Sequence, residues 1–300
     1  MKNHLTANLA ILFSAIIFSS PSFSEDLGPT LEKIKSTNII SIGHRESSIP
    51  FSYYDENHKV IGFAQDICDR VIDSVKTAIN SKNLAVKMIP VNSQNRIALV
   101  QNGTIDLECG TTTNTQARHS QVAFSTTYFL ALTRLLVKKD SGVKDFGDLS
   151  GQNVVTNSGT TAEAMLRKLN IDRNLKFNII SSKDYAESFL ALQSGRAKAF
   201  MLDDVLLSGA ATMAKNPADW IVTGTPQSKE PYAFMMRKDD PKFKKIVDTT
   251  LIQMMQSGDI NSLYKKWFEH PVPPKNINFN FPMSKELMDI YKNPTDTPAY

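Results

Sequence analysis

The chain has 300 residues, 41% of them hydrophobic and 21% charged, with 34 basic against 30 acidic residues and a net charge of +4. Enough apolar side chains are present for a packed core, which excludes a disordered chain, and the basic residues are dispersed rather than gathered in runs, which argues against a nucleic-acid partner. About 275 residues remain beyond the first two dozen, enough for roughly two compact domains.

Residues 1–24 carry Lys2, an apolar run from Leu9 to Phe18, and a small-x-small ending at Ser22-Phe23-Ser24. This predicts a secretory signal cleaved near Ser24, shorter than the roughly 20 apolar residues that span a bilayer. Export from the cytoplasm follows. No cysteine near the cleavage site could take a lipid, and no later stretch reads as a membrane helix.

Ile39 to His44 reads as a first strand that opens at Arg45 into a loop and an aromatic segment. Phe63 to Ile79 reads as a helix, with Ile67, Val71, Ile72, Val75 and Ile79 at helical spacing and Cys68 on the core side. A strand from Leu84 to Ile89 leads to Ser93-Gln-Asn-Arg96. A short helix follows from Arg96 to Gln101, stopped by Gly103, then a buried strand from Ile105 to Cys109. That strand empties into Gly110-Thr-Thr-Thr-Asn114 and a turn ending at Arg118. Hydroxyls and free N–H groups at the carboxyl end of a sheet favour an anionic ligand there.

Cys68 and Cys109 are the two cysteines of a chain bound for an oxidising compartment. The helix bearing one should lie beside the strand ending in the other, so a disulfide is expected; two buried free thiols are the alternative.

An extended run from Leu132 to Lys138 opens a second α/β series: a strand from Asn153 to Thr156, a helix from Thr160 to Leu169, a strand from Phe177 to Ser181, a helix from Asp184 and a strand ending near Leu202. A return crossing is expected around Glu230 to Met236. Helices from Pro241 to Gln256 and Ile260 to Phe268, then a Pro-rich strap from Pro271, close the chain. The expected organisation is a signal at 1–24, a first lobe at 25–132, a second lobe at 133–230, and a return to the first lobe with the strap at 231–300. Gly103 and Gly195 each end a helix before an apolar strand, and Thr111 and Asp203 share one offset from them. Two half-molecules could thus aim equivalent residues at a shared cleft, although helix-Gly-strand units are common in α/β chains.

Gly43-His-Arg-Glu-Ser-Ser, Pro50-Phe-Ser-Tyr-Tyr-Asp, Ser93-Gln-Asn-Arg, Glu108-Cys-Gly-Thr-Thr-Thr-Asn, Ser158-Gly-Thr-Thr, Met201-Leu-Asp-Asp and Arg237-Lys-Asp-Asp-Pro occur in that order. Together they resemble the periplasmic glutamate/aspartate-binding proteins of ABC importers, solute-binding protein family 3. The resemblance implies the type II periplasmic-binding-protein fold: two α/β lobes, each a mostly parallel sheet flanked by helices, joined by two hinge crossings. It implies capture of L-glutamate or L-aspartate by lobe closure, delivery to ABC permease subunits, and a monomer.

The same resemblance implies roles. Arg118 would fork onto the α-carboxylate, with Thr113 and Thr161 adding hydroxyl or backbone donors, and Asp203 would take the α-ammonium. Arg45 and Arg96, with Ser93 and Thr111, would hold the side-chain carboxylate. Three arginines and one aspartate then match two carboxylates and one ammonium, and burying any of these unpaired would cost several kcal/mol. Arginine suits the task because its planar fork meets both oxygens of a carboxylate. Where the family carries a histidine, this chain has Tyr185, which leaves glutamine or asparagine as an alternative ligand.

A dehydratase-type enzyme on the same fold is the other alternative. No paired nucleophile and base and no metal-ligand spacing is found, so catalytic residues, cofactor and metal are not expected. Taken singly, each arginine could be a surface ion-pair residue, and Asp203 could merely cap the helix that begins at Asp204.

Overall fold

The computed structural model describes residues 26–300; the expected signal at 1–24 lies outside the described residues. In chain order come α1 (Pro29–Thr37), β1 (Ile39–His44), a small antiparallel sheet of β2 (Ser47–Ser48), β3 (Ser52–Tyr54) and β4 (Val60–Ile61), then α2 (Phe63–Ala78). β5 (Ala85–Pro90), α3 (Arg96–Gln101), β6 (Leu107–Glu108), β7 (Val122–Phe124) and β8 (Phe129–Lys138) follow. The second series is β9 (Asn153–Asn157), α4 (Thr161–Asp172), β10 (Asn178–Ser182), α5 (Tyr185–Gln193), β11 (Ala199–Asp203), α6 (Asp204–Thr212) and β12 (Trp220–Thr223). β13 (Lys229–Tyr232), β14 (Met235–Arg237), α7 (Pro241–Ser257), α8 (Asp259–Tyr264), β15 (Pro271–Val272), β16 (Ile277–Asn278) and α9 (Lys285–Lys292) complete the described chain.

Two sheets make two lobes. The first has the order β5-β1-β6-β14-β7 and the second β10-β9-β11-β8-β12. In the first only β14 opposes its neighbours, and in the second only β8 does. β8 takes part in both crossings: its residues 129–132 pair with β13, and from Thr133 onward it pairs with β11 and β12.

Periodicity explains the helices that cover the sheets. α2 buries Phe63, Ile67, Cys68, Val71, Ile72 and Val75, one face of a 3.6-residue repeat. It begins at Gly62, where an added Cβ would stand 2.2 Å from the Phe51 carbonyl oxygen. α7 is opened by Pro241 and by Asp240, whose side chain accepts from the Phe243 N–H at 3.1 Å, and it ends at Gly258 in the left-handed conformation. Gly103 and Gly195, with φ of 74° and 78°, follow α3 and α5 and turn each chain into its strand. Phe51, Phe63, Phe129, Tyr264 and Phe268 form an aromatic cluster against the first half of β8. Leu135, Val154, Leu166 and Met201 anchor a core in the second lobe.

A disulfide joins Cys68 to Cys109, with Cα atoms 6.0 Å apart, so α2 is stapled to the residue after β6. Three expectations shift. The strand read at 105–109 is regular only at Leu107 and Glu108: the Asp106 N–H and the Cys109 N–H still donate to the Ser41 and Gly43 carbonyls at 2.8 Å, but the Ser41 N–H goes to the Asp106 carboxylate at 2.9 Å instead of to a backbone oxygen. The return crossing expected around Glu230 to Met236 is made of two strands divided at Ala233-Phe234, where the chain leaves β8 and enters the first sheet. The helix read at 260–268 is α8 followed by a π turn at Lys265–Glu269.

Candidate functional site

The strand ends of the first lobe place most of the expected residues. Arg45 follows β1, Ser93 and Arg96 open α3, Thr111 and Thr113 lie in the loop after β6, and Arg118 sits in the 3-10 turn Gln116–Ser120. Across the cleft, Thr161 is the first residue of α4, Tyr185 the first of α5, and Asp203 the last of β11. The lobes meet closely here: a Cβ on Gly159, whose φ is 78°, would stand 2.8 Å from the Ser93 carbonyl oxygen.

Arg45 is 1% exposed and Arg96 is 2% exposed, an expensive placement for a cation. The Arg45 guanidinium lies 4.6 Å from the centre of the Tyr185 ring and donates through Nη1 to the Tyr185 hydroxyl at 3.2 Å. Arg96 Nη1 donates to the Thr112 hydroxyl and to the Thr111 carbonyl at 3.3 Å, and Thr112 in turn donates to Glu108 Oε2 at 2.6 Å. Arg118 donates through Nη1 to the Thr113 carbonyl at 2.7 Å and through Nη2 to the Gly159 carbonyl at 3.4 Å, reaching across the cleft. Among the described residues, none of these three arginines has a carboxylate oxygen within 4.0 Å.

Several donors beside them are buried without a partner: the Ser93 hydroxyl, Arg96 Nε and the Thr111 hydroxyl. Native interiors rarely leave such groups unpaired, and clustered exceptions call for a reason. Burial, and then the positive charges of Arg118 and Arg45 against the opposing Glu108, lower the Arg96 pKa to about 10. For Arg118 burial again dominates and the pKa falls, with Glu230 opposing. For Arg45 the lowering effect of burial is overcome by Tyr185 and Glu108, and the net movement is upward. All three remain cations near neutral pH.

The acidic side of the cleft differs from the expected one. Asp203 occupies the N-cap position of α6 but makes no capping bond. Its carboxylate instead accepts from the Tyr232 hydroxyl and from the Thr133 hydroxyl at 3.3 Å, while Asp204 accepts the Val205 N–H at 2.8 Å. Burial first, and the nearby Glu230 charge second, raise the Asp203 carboxyl to about 8, against the hydrogen bonds of Tyr232 and Thr133. Thr160 is the cap of α4, accepting the Glu163 N–H at 3.1 Å.

Glu230 is the residue that sequence reasoning missed. It is 0% exposed. Thr113 and Thr161 each donate to its Oε2 at 2.7 Å. Ser228 and, at 2.9 Å, Tyr300 donate to its Oε1, which also lies 3.3 Å from the Thr133 hydroxyl, whose one proton is shared between Glu230 and Asp203. The hydroxyls of Thr113 and Thr161 are thus engaged by Glu230, and what each offers a ligand is its backbone. A glutamate just before Pro231-Tyr-Ala-Phe, in an otherwise apolar return crossing, is the one local signal that could have flagged it.

Glu108 and Thr112, which steady Arg96, were quoted in a motif but given no role. His44 Nδ1 lies 3.0 Å from the Arg45 carbonyl, and His119 Nε2 lies 2.6 Å from Asn114 Oδ1. Among the described residues no group of three or more His, Cys, Asp or Glu side chains could hold a metal ion. A groove of about 700 Å³ among Met255, Tyr264, Met283 and Met288 shares no residue with the cleft. Unpaired buried donors, rather than cavity size, mark the site. The arrangement offers three cations and several unpaired donors to an anionic group.

The family model for bacterial extracellular solute-binding proteins, family 3, matches residues 40–270. The chain is 48% identical over 296 residues to the glutamate/aspartate import solute-binding protein of Escherichia coli (strain K12), covering 99% of this chain and 98% of that one. It is 50% identical over 292 residues to the L-glutamate/L-aspartate-binding protein of Pseudomonas aeruginosa, covering 97% of each. Among solved structures, the solute receptor for L-cysteine of Neisseria gonorrhoeae superposes with a TM-score of 0.72 at 25% identity, over 86% of this chain and 100% of that one.

Proposed function

The chain belongs to the bacterial extracellular solute-binding proteins of family 3, and we propose that it captures L-glutamate or L-aspartate between its lobes and delivers it to the permease of an ABC importer. The relatives at 48% and 50% identity carry those two ligands in their names. The single observation that carries the proposal is the trio of buried, unpartnered donors on Ser93, Arg96 and Thr111, set among three arginines without an acidic partner. A dicarboxylate supplies what they lack. Arg118 and the backbone donors of Thr113 and Thr161 take the α-carboxylate. Asp203 takes the ammonium, with Glu230 beside it. Arg45, Arg96, Ser93 and Thr111 hold the side-chain carboxylate against the wall formed by Tyr185.

Binding without turnover is proposed, by a monomer acting in the periplasm, with lobe boundaries at 132/133 and 230/231. Arg45, Arg96 and Arg118 belong to the first lobe, Thr161, Tyr185 and Asp203 to the second. A ligand that needs both sets favours the closed arrangement by that difference in affinity.

The experiment is a thermal-shift screen of the mature protein against the twenty amino acids, in which a ligand at 100 times its Kd adds about 2.7 kcal/mol of stability. Glutamate and aspartate alone should stabilise the wild type, and Asp203→Ala should abolish the shift without unfolding the protein. Equal stabilisation by glutamine or asparagine would move the assignment to a neutral polar ligand. No response to any amino acid would overturn it.

A further inference from the structure

The two lobes are also joined by a hydrogen bond outside the ligand cage. Ser47, in β2 of the first lobe, donates its hydroxyl to Asp184 Oδ2 at 2.6 Å. Asp184 is the N-cap of α5 in the second lobe, and its other oxygen, Oδ1, accepts the Ala186 N–H at 2.7 Å. One carboxylate therefore has two tasks. The oxygen that caps the helix fixes the orientation of the oxygen that receives Ser47, so little side-chain freedom is lost when the lobes meet.

The surroundings make the contact specific to this arrangement of the lobes. Two residues beyond Ser47, the Ile49 carbonyl lies against α6, where a Cβ on Gly209 would stand 2.1 Å from that oxygen. One residue beyond Asp184, the Tyr185 hydroxyl receives Arg45 Nη1 at 3.2 Å. Ser47 and Asp184 are both half-buried, and a hydroxyl-to-carboxylate bond there is charge-assisted and partly shielded from water. Since both partners are protein groups, the bond forms when the lobes close whether or not the cleft is filled. A bond made only in the closed state biases the lobe equilibrium by its full net strength, and opening must break it before a ligand can leave.

We infer that Ser47 and Asp184 form a latch that stabilises the closed lobes independently of ligand and slows ligand release, an assignment that rests on the proposed function only for the identity of the ligand. Ser47 is a positioning residue in this scheme. It touches no group of the cage, and its loss leaves the α5 cap in place.

The test compares wild type, Ser47→Ala and Ser47→Thr by small-angle scattering of the ligand-free protein and by stopped-flow dissociation of glutamate. Ser47→Ala should enlarge the ligand-free radius of gyration and raise koff about fivefold, with kon raised as the open fraction grows and thermal stability little changed, as loss of one partly exposed charge-assisted bond implies. Ser47→Thr, which keeps the hydroxyl, should restore both. An unchanged koff and scattering profile in Ser47→Ala, or a failure of threonine to restore them, would overturn the latch. If the wild type does not bind glutamate, the proposed ligand fails, while the ligand-free scattering still decides the latch.

Discussion

Replacing Thr111, a residue 3% exposed, by valine keeps the volume of the side chain and removes one hydroxyl that is buried and without a hydrogen-bond partner. A buried unpaired hydroxyl costs about 1–3 kcal/mol. Water that enters when the lobes part relieves a share of that, so Thr111→Val should stabilise the ligand-free protein by up to about 1 kcal/mol, or roughly 2–4 °C in Tm for a chain of this size. With glutamate bound, the hydroxyl should donate to a carboxylate, a bond worth about 1.5–3 kcal/mol. Its removal should then weaken binding roughly ten- to hundredfold. Scanning calorimetry without ligand and titration calorimetry with glutamate read the two effects. They have opposite signs, which is the signature of a group held unsatisfied for a ligand. A lower Tm with unaltered affinity would instead make Thr111 a structural residue and refute the reasoning about the unpaired donors.

The disulfide closes a loop between residues separated by 41 positions, which in the chain-entropy treatment contributes about 4 kcal/mol to folding. Urea denaturation with and without reductant should differ by about that much, and a difference below about 1 kcal/mol would contradict it. The second expectation concerns pH. Asp203 is raised in the fold from an ordinary 3.8 to about 8 by burial and by Glu230, so the stability it contributes is fully present below 3.8 and is lost as pH rises through 8. Asp203→Asn, neutral throughout, should therefore gain on the ligand-free wild type between pH 5 and pH 8 in denaturant unfolding; a gap that stays constant over that range would rule this out.

The places of several residues proposed for the site were legible from local pattern, while their roles came from the resemblance to the glutamate/aspartate-binding proteins. Ser93 and Arg96 at a helix start, Thr111 and Thr113 in a polar loop after a buried strand, and Asp203 at a strand end are placed by patterns of apolar spacing and glycine stops. The bland role for Asp203 failed because the carboxylate turns away from its helix toward Tyr232 and Thr133. Thr160, by contrast, does cap its helix, α4, through its side chain. Glu230 could not be read in this way. Its meaning comes from hydroxyls at positions 113, 133, 161, 228 and 300, brought together only by the crossing strands and by the tail that lies along Asn114 to Gln116. The division of residues 231–237 between two sheets is likewise a matter of tertiary partners, because both halves carry the same apolar pattern.

The position of β14 also governs the order in which the molecule can be assembled. Five of the six strands of the second sheet lie between Phe129 and Thr223, and the sixth, β13, follows directly at Lys229–Tyr232, so a chain that has emerged as far as residue 232 already holds every one of them. The first sheet is different. β14 stands between β6 and β7, pairing Leu107 and Glu108 with Met236 and Met235, and Val122 to Phe124 with Arg237 to Met235. That lobe is begun first and finished last, with a long loop-closure cost met before its central pairings form. An amino-terminal fragment that stops short of Met235 leaves β6 and β7 unjoined, and with them the loop that carries Thr111, Thr113 and Arg118. The proposed ligand cage is thus completed only in the nearly complete chain, even though the three arginines proposed for it are encoded in its first 118 residues.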